Sequence, residues 1–150
     1  MEKVFLSYSE KDTIAIAEKL AVISKRGDVW ALKGTLGAGK SVFARAFIKK
    51  MTNADEVPSP TFTLLQTYSS NDFDIYHYDL YRLENPIEIF ELGVEEAFYS
   101  GVSLVEWPEK MEGFAPRNMW YVYFDVNNDE RRITITSSDE EKCNRLANVK

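Results

Sequence analysis

The sequence predicts an α/β domain of three layers, a mixed central sheet flanked by helices, with residues 1–150 forming a single unit. Two apolar runs, Val29–Leu32 and Val102–Val105, have the composition of strands buried on both faces. The first runs straight into a glycine-rich loop and then a stretch of helical composition, while aromatic-rich strand candidates separated by turn residues follow later.

Lys3 to Tyr8 reads as a short strand. Ser9 is placed to cap the next element, with Asp12 three residues on as an approximate capping box. A helix is therefore expected from about Lys11 to Lys25, with Ile14, Ala17, Leu20 and Ala21 inward and Arg26-Gly27-Asp28 at its end. Beyond the glycine loop, Ser41 to Met51 is helical, with Phe43, Ala46, Phe47 and Ile48 along one side. Val57-Pro58-Ser59-Pro60 is a stiff connection, because each proline fixes its own φ and restricts the residue before it. Thr61–Tyr68 and Phe73–Tyr81 read as strands joined through Ser69-Ser70-Asn71-Asp72. Pro86 to Tyr99 reads as helix with a break near Gly93, and Trp120–Val126 with Arg131–Thr136 as a hairpin across Asn127-Asn128-Asp129-Glu130. After Ser138 either a short helix or a frayed tail is expected.

Composition narrows the classes of function. Hydrophobic residues make up 45% and charged residues 28%, the balance of a globular chain with one core. Eighteen basic side chains against 24 acidic ones give a net charge of −6, which disfavours a direct grip on a nucleic-acid backbone. Cys143 is the only cysteine, so no intramolecular disulfide can form and a cysteine-based zinc site is disfavoured. Nothing at the start reads as a signal peptide, and no segment approaches the roughly 20 apolar residues that cross a bilayer. A cytoplasmic protein without membrane contact is expected.

Gly34, Gly39, Lys40 and Ser41 satisfy the pattern G-x-x-x-x-G-K-[ST], in the strand–loop–helix order that a phosphate-binding P-loop requires. Glycines let backbone N–H groups turn inward around phosphates, and the following helix aims its positive dipole end at the same point. The architecture expected is therefore P-loop NTPase-like. Leu36, Gly37, Ala38, Gly39, Lys40, Ser41 and Val42 are expected around a nucleoside triphosphate, with Lys40 on its β- and γ-phosphates and Ser41 on Mg²⁺. Glu106 closes the second buried run, where a carboxylate can hold Mg²⁺ or orient the attacking water. In Tyr76–Arg82, a strand would put His77, Asp79 and Tyr81 on one face and Tyr78, Leu80 and Arg82 on the other. Asp79 is the suggestive member, since a carboxylate among aromatic rings is costly unless paired. His77 fits a structural and a functional role equally.

No aspartate stands three residues before any of the seven glycines, and no N-K-x-D segment is present, so the guanine-nucleotide switch signals are missing. The succession G-T-L-G-A-G-K-S, V-P-S-P-T-F, H-Y-D-L-Y-R-L and L-V-E-W-P-E, running from residue 34 to residue 109, resembles the TsaE (formerly YjeE) family. These are bacterial ATPases of tRNA threonylcarbamoyladenosine biosynthesis. Ser41 stands where many members have threonine and preserves the hydroxyl.

The resemblance implies ATP and Mg²⁺ as ligands and two partners, the threonylcarbamoyl transferase subunit and its inactive paralogue. ATP hydrolysis would reset that complex between rounds, and tRNA would be met only indirectly through it. It also implies Ser41 and Glu106 on the metal, Lys40, Asp79 and Glu106 in catalysis, and Thr61 in a switch-like loop. Thr13, Trp107 and Arg132 match positions of nucleotide contact. Two other readings stay open: a stand-alone small-molecule phosphotransferase, and a nucleotide-dependent binding module with negligible turnover.

Overall fold

The computed structural model describes residues 1–35 and 39–150. In chain order these form β1 (Glu2–Ser7), α1 (Glu10–Ile23), β2 (Val29–Gly34), α2 (Lys40–Met51), β3 (Leu65–Ser69) and β4 (Asp74–Asp79). A 3₁₀ segment (Pro86–Leu92), α3 (Val94–Ser100), β5 (Val102–Glu106), a second 3₁₀ segment (Pro108–Phe114), β6 (Trp120–Asn127), β7 (Glu130–Thr136) and α4 (Glu140–Ala147) follow. The strands make one mixed sheet in the order β1-β7-β6-β2-β5-β4-β3. β6, β2, β5 and β4 are mutually parallel, whereas β7 and β3 are antiparallel to their neighbours.

Alternation along the central strands divides the core between the two sheet faces. Trp30, Leu32, Leu104, Trp120, Val122, Ile133 and Ile135 meet Leu20 of α1, Phe43 and Phe47 of α2 and Leu146 of α4. The Trp30 and Trp120 rings stack at its centre, with centroids 4.5 Å apart and planes 3° from parallel. On the other face, Val29, Ala31, Tyr78 and Val105 pack against Ile89, Val94, Ala97 and Met111 from the two 3₁₀ segments and α3. Helices thus cover both faces, which is the three-layer α/β arrangement expected.

Local chemistry accounts for the boundaries. The Ser9 side chain accepts from the Asp12 N–H, while the Asp12 carboxylate accepts from the Tyr8 N–H rather than from Ser9, a box displaced by one residue. The buried face of α1 is Thr13, Ile16, Ala17, Leu20 and Ala21, and Ile14 is 37% exposed, so the expected inner face is corrected by one position. Thr13 can be buried there because its hydroxyl lies 2.7 Å from that of Ser7. The third strand starts at Leu65 and not Thr61: Leu64 takes a left-handed φ of 67°, and its N–H goes to the Pro60 carbonyl instead of a neighbouring strand. The tail is helical and docked, with Leu146 fully buried. Among the described residues, no helix is long and apolar enough to cross a membrane.

Candidate nucleotide-binding site

β2 and β5 pair in parallel with Leu32 beside Glu106, and β5 pairs with β4 so that Glu106 stands directly beside Asp79. Three adjacent parallel strands therefore end at one edge of the sheet, where ligands bind in folds of this kind. Gly34 ends β2 with φ 155°, and a Cβ there would lie 2.8 Å from the Phe124 carbonyl oxygen of β6. Only glycine permits that approach. Gly39 caps α2 in the left-handed region at φ 102°, where a Cβ would sit 3.6 Å from Cδ of Arg131. Leu36, Gly37 and Ala38, expected around the phosphates, lie outside the described residues.

A cleft of about 280 Å³ opens over the N-terminus of α2. Thr13, Gly39, Lys40, Ser41, Val42, Thr61, Asp79, Glu106 and Trp107 line it, which brings nearly every described site residue expected from the sequence to one place. Glu10, Ser59 and Arg131 complete the wall. Arg132 is not there. It is exposed and points to the opposite sheet face, because the two-residue period that turns Ile133 and Ile135 into the core turns Arg131, not Arg132, toward α1 and the cleft. The alternation Arg131-Ile133-Ile135 was the signal available in the sequence.

Each polar group in the cleft has a defined surrounding. Lys40 is 6% exposed and holds its ammonium 4.7 Å from the centre of the Trp107 ring, a cation–π contact in a partly dry site. Trp107 has left-handed backbone angles (φ 58°, ψ 51°), which cost a non-glycine residue about 1–3 kcal/mol and point to a site where placement outweighs comfort. The Tyr81 ring lies 4.8 Å from that of Trp107. Asp79 ends β4, so the strand alternation stops there and Tyr81 and Arg82 turn outward. One Asp79 oxygen accepts from the Tyr81 N–H at 3.1 Å and the other from the Thr61 hydroxyl at 3.3 Å. Thr61 is also 2.7 Å from the Ser59 hydroxyl, so the proline-stiffened loop is tied to the strand end through Asp79. His77 Nε2 meets Glu106 Oε2 at 2.7 Å with both side chains buried. The sequence singled out both residues without indicating that they touch.

The arrangement suits an anion with a divalent counter-ion. A helix N-terminus, the Lys40 ammonium and the Arg131 guanidinium face one cavity, and the buried Nε of Arg131 has no hydrogen-bond partner among the described residues. Ser41 and Glu106 put a hydroxyl and a carboxylate on the same cavity. Among the described residues no group of three or more His, Cys, Asp and Glu could hold a metal by themselves.

Comparison with known proteins agrees with this geometry. The family described as "Threonylcarbamoyl adenosine biosynthesis protein TsaE" matches residues 7–134. The tRNA threonylcarbamoyladenosine biosynthesis protein TsaE of Rickettsia felis is 42% identical over 135 residues, covering 88% of this chain and 79% of its own. The protein of that name from Bacillus subtilis is 39% identical over 129 residues, covering 85% of this chain and 80% of its own. The crystal structure of Bacillus subtilis YdiB superposes with a TM-score of 0.83 at 29% identity, covering 98% of this chain and 93% of that one. The family match runs from the last residue of β1 into β7 and takes in every residue of the cleft, and on that ground the chain belongs to the TsaE family of threonylcarbamoyl adenosine biosynthesis proteins.

Proposed function

We propose that this chain is a Mg²⁺-dependent ATPase subunit required for tRNA threonylcarbamoyladenosine modification, which hydrolyses ATP to reset the transferase complex between turnovers. The observation that carries the reading is the convergence of Lys40, Ser41, Thr61, Asp79 and Glu106 on one cleft at the ends of β2, β4 and β5. Lys40 and the backbone around Gly39 hold the β- and γ-phosphates, and Thr13, Val42, Trp107 and Arg131 bound the rest of the nucleotide. Ser41 and Glu106 would hold Mg²⁺, which would supply neutralisation of the phosphate charge. Asp79 orients the water that attacks the γ-phosphorus in line with the departing ADP oxygen, and Thr61 couples that carboxylate to the Val57–Thr61 loop. Completion of the site by partner contacts makes hydrolysis slow in isolation.

The partners in this reading are the transferase subunit and its inactive paralogue, in the cytoplasm. The net charge of −6 suits a subunit that reaches tRNA only through them. The test is threonylcarbamoyl transfer reconstituted with both partners over many turnovers. Omission of this chain should leave about one round per complex, and continued cycling at the full rate would remove the reading.

Asp79 has its own test, single-turnover hydrolysis with partners present. Asp79→Asn keeps the shape and the contact from the Tyr81 N–H, with its amide group donating to the Thr61 hydroxyl in place of accepting from it, but lowers the rate by about 100-fold, within the range for a positioned acid–base group. An unchanged rate takes Asp79 out of the mechanism.

A further inference from the structure

Glu106 ends a strand with its carboxylate at the cleft, and a glutamate side chain has several rotamers to choose from. Something must select the productive one. Asp79 is its direct neighbour on β4 and, as a second carboxylate, repels it. His77 pairs in register with Leu104, two residues before Glu106, and so lies diagonally across the same sheet face, within reach of a long side chain. The 2.7 Å contact between His77 Nε2 and Glu106 Oε2 uses that diagonal. An ionised carboxylate has only acceptor oxygens, so against it Nε2 is the donor of this contact. The result is a division of labour: Thr61 and the Tyr81 N–H hold Asp79, and His77 holds Glu106.

The His77 side chain is 4% exposed, and its Nδ1 is buried without a hydrogen-bond partner among the described residues. His77 and Glu106 both line a recess of about 60 Å³, shared with Ser41, Arg45, Pro58 and Ser59 and large enough for a water molecule. The recess lies beside the main cleft, with Ser41, Ser59 and Glu106 forming part of both walls.

We propose that His77 is a positioning residue for ATP turnover: by donating to Oε2 of Glu106 it aims the other carboxylate oxygen at the metal and water side of the cleft. The proposal rests on the reading of Glu106 as a turnover residue. Outer partners of this kind typically change metal affinity or activity by about 10- to 100-fold.

The test compares His77→Leu with His77→Gln in the full chain with its partners. Single-turnover hydrolysis and calorimetric ATP binding with and without Mg²⁺ are the readouts, with thermal melting to establish folding. His77→Leu is expected to lower the hydrolysis rate constant by about 10- to 100-fold and to blunt the tightening of ATP binding by Mg²⁺. ATP affinity without Mg²⁺ should be unchanged. His77→Gln, whose amide N–H can reach the same oxygen, should restore most of the rate. In a Glu106→Gln background, His77→Leu should cost nothing more, because the residue it acts through is already disabled. Equal losses in the Leu and Gln variants that persist in that background overturn the proposal in favour of plain packing. Normal turnover by Glu106→Ala removes both this proposal and the reading beneath it, whereas an inactive Glu106→Ala beside a fully active His77→Leu removes only the positioning role.

Discussion

Lys40→Ala should weaken ATP binding by roughly 100-fold or more, while Glu106→Ala should bind ATP nearly as well as the parent without Mg²⁺, lose much of the tightening by Mg²⁺ and fail to turn ATP over. The difference follows from what each side chain faces. The Lys40 ammonium is the buried cation at the mouth of α2, and it lies over Trp107 in a site with little water to screen it. A hydrogen bond to a charged group is worth about 1.5–3 kcal/mol, so losing the Lys40 contacts to two phosphates weakens binding by roughly 100-fold or more. The positive helix end remains but cannot replace a full charge. Glu106 adds negative charge to an anion site, so without Mg²⁺ its removal takes little from ground-state affinity, and with Mg²⁺ it removes only the part that the metal supplies. Its contribution falls where charge develops during phosphoryl transfer, and such groups typically account for about 100- to 1000-fold in rate. Calorimetric binding and phosphate release with partners present measure the two effects separately. A Lys40→Ala protein that binds ATP within a factor of a few of the parent, or a Glu106→Ala protein that releases phosphate normally, would falsify the assignment concerned.

Features that depend on neighbours in sequence are legible in it. The apolar run Val29–Leu32 and the α2 stripe of Phe43, Ala46, Phe47 and Ile48 are local patterns, and both take the place expected of them. Glu106 was readable as a strand-end carboxylate and Asp79 as one inside a strand expected to run to Tyr81; β4 stops at Asp79, and its parallel pairing with β5 sets the two side by side. What was illegible depends on register and on competition for hydrogen bonds. Ile14 is as apolar as Ile16, but the turn of α1 that Ser7 and Ser9 fix selects Thr13 and Ile16 for the interior. Thr61–Leu64 has strand composition, yet the prolines before it and the left-handed Leu64 delay the strand to Leu65 and leave Thr61 on the cleft wall. The choice of Arg131 over Arg132 is a one-residue question of phase, settled by which neighbours enter the core. The His77–Glu106 contact joins residues 29 positions apart, and only the pairing of β4 with β5 creates it.

The largest effect on stability is expected away from the cleft, at Asp28. This carboxylate is 3% exposed and stands immediately before β2. Arg145 of α4 grips it with two hydrogen bonds of 2.7 and 3.0 Å, and the Lys25 N–H adds a third at 2.9 Å. The same guanidinium donates to the Ile23 carbonyl and lies over the Trp120 ring, so one pair ties the C-terminal helix to α1, β2 and β6. Burial alone would lower the Arg145 pKa, but the hydrogen bonds and charges of Asp28 and Glu141 outweigh it and leave it raised. Asp28→Ala strips the cation of its main partner while leaving it largely buried. Breaking a buried pair from one side costs about 3–5 kcal/mol, which for a domain of this size lowers Tm by roughly 6–20 °C. An Asp28→Leu/Arg145→Leu double variant should recover part of that loss, since the buried guanidinium goes with its partner, Lys142 keeps Asp139 and the half-exposed Glu141 keeps Lys25. Asp28 lies at the start of β2, whereas the cleft lies beyond its other end, a strand length of about 20 Å away. ATP affinity measured well below the lowered Tm should therefore match the parent. A melting shift of only a degree or two would show that α4 is held by Leu146 and its apolar contacts alone. Weakened ATP binding by the folded variant would instead mean that the clamp at one end of β2 sets the geometry of the loop at the other.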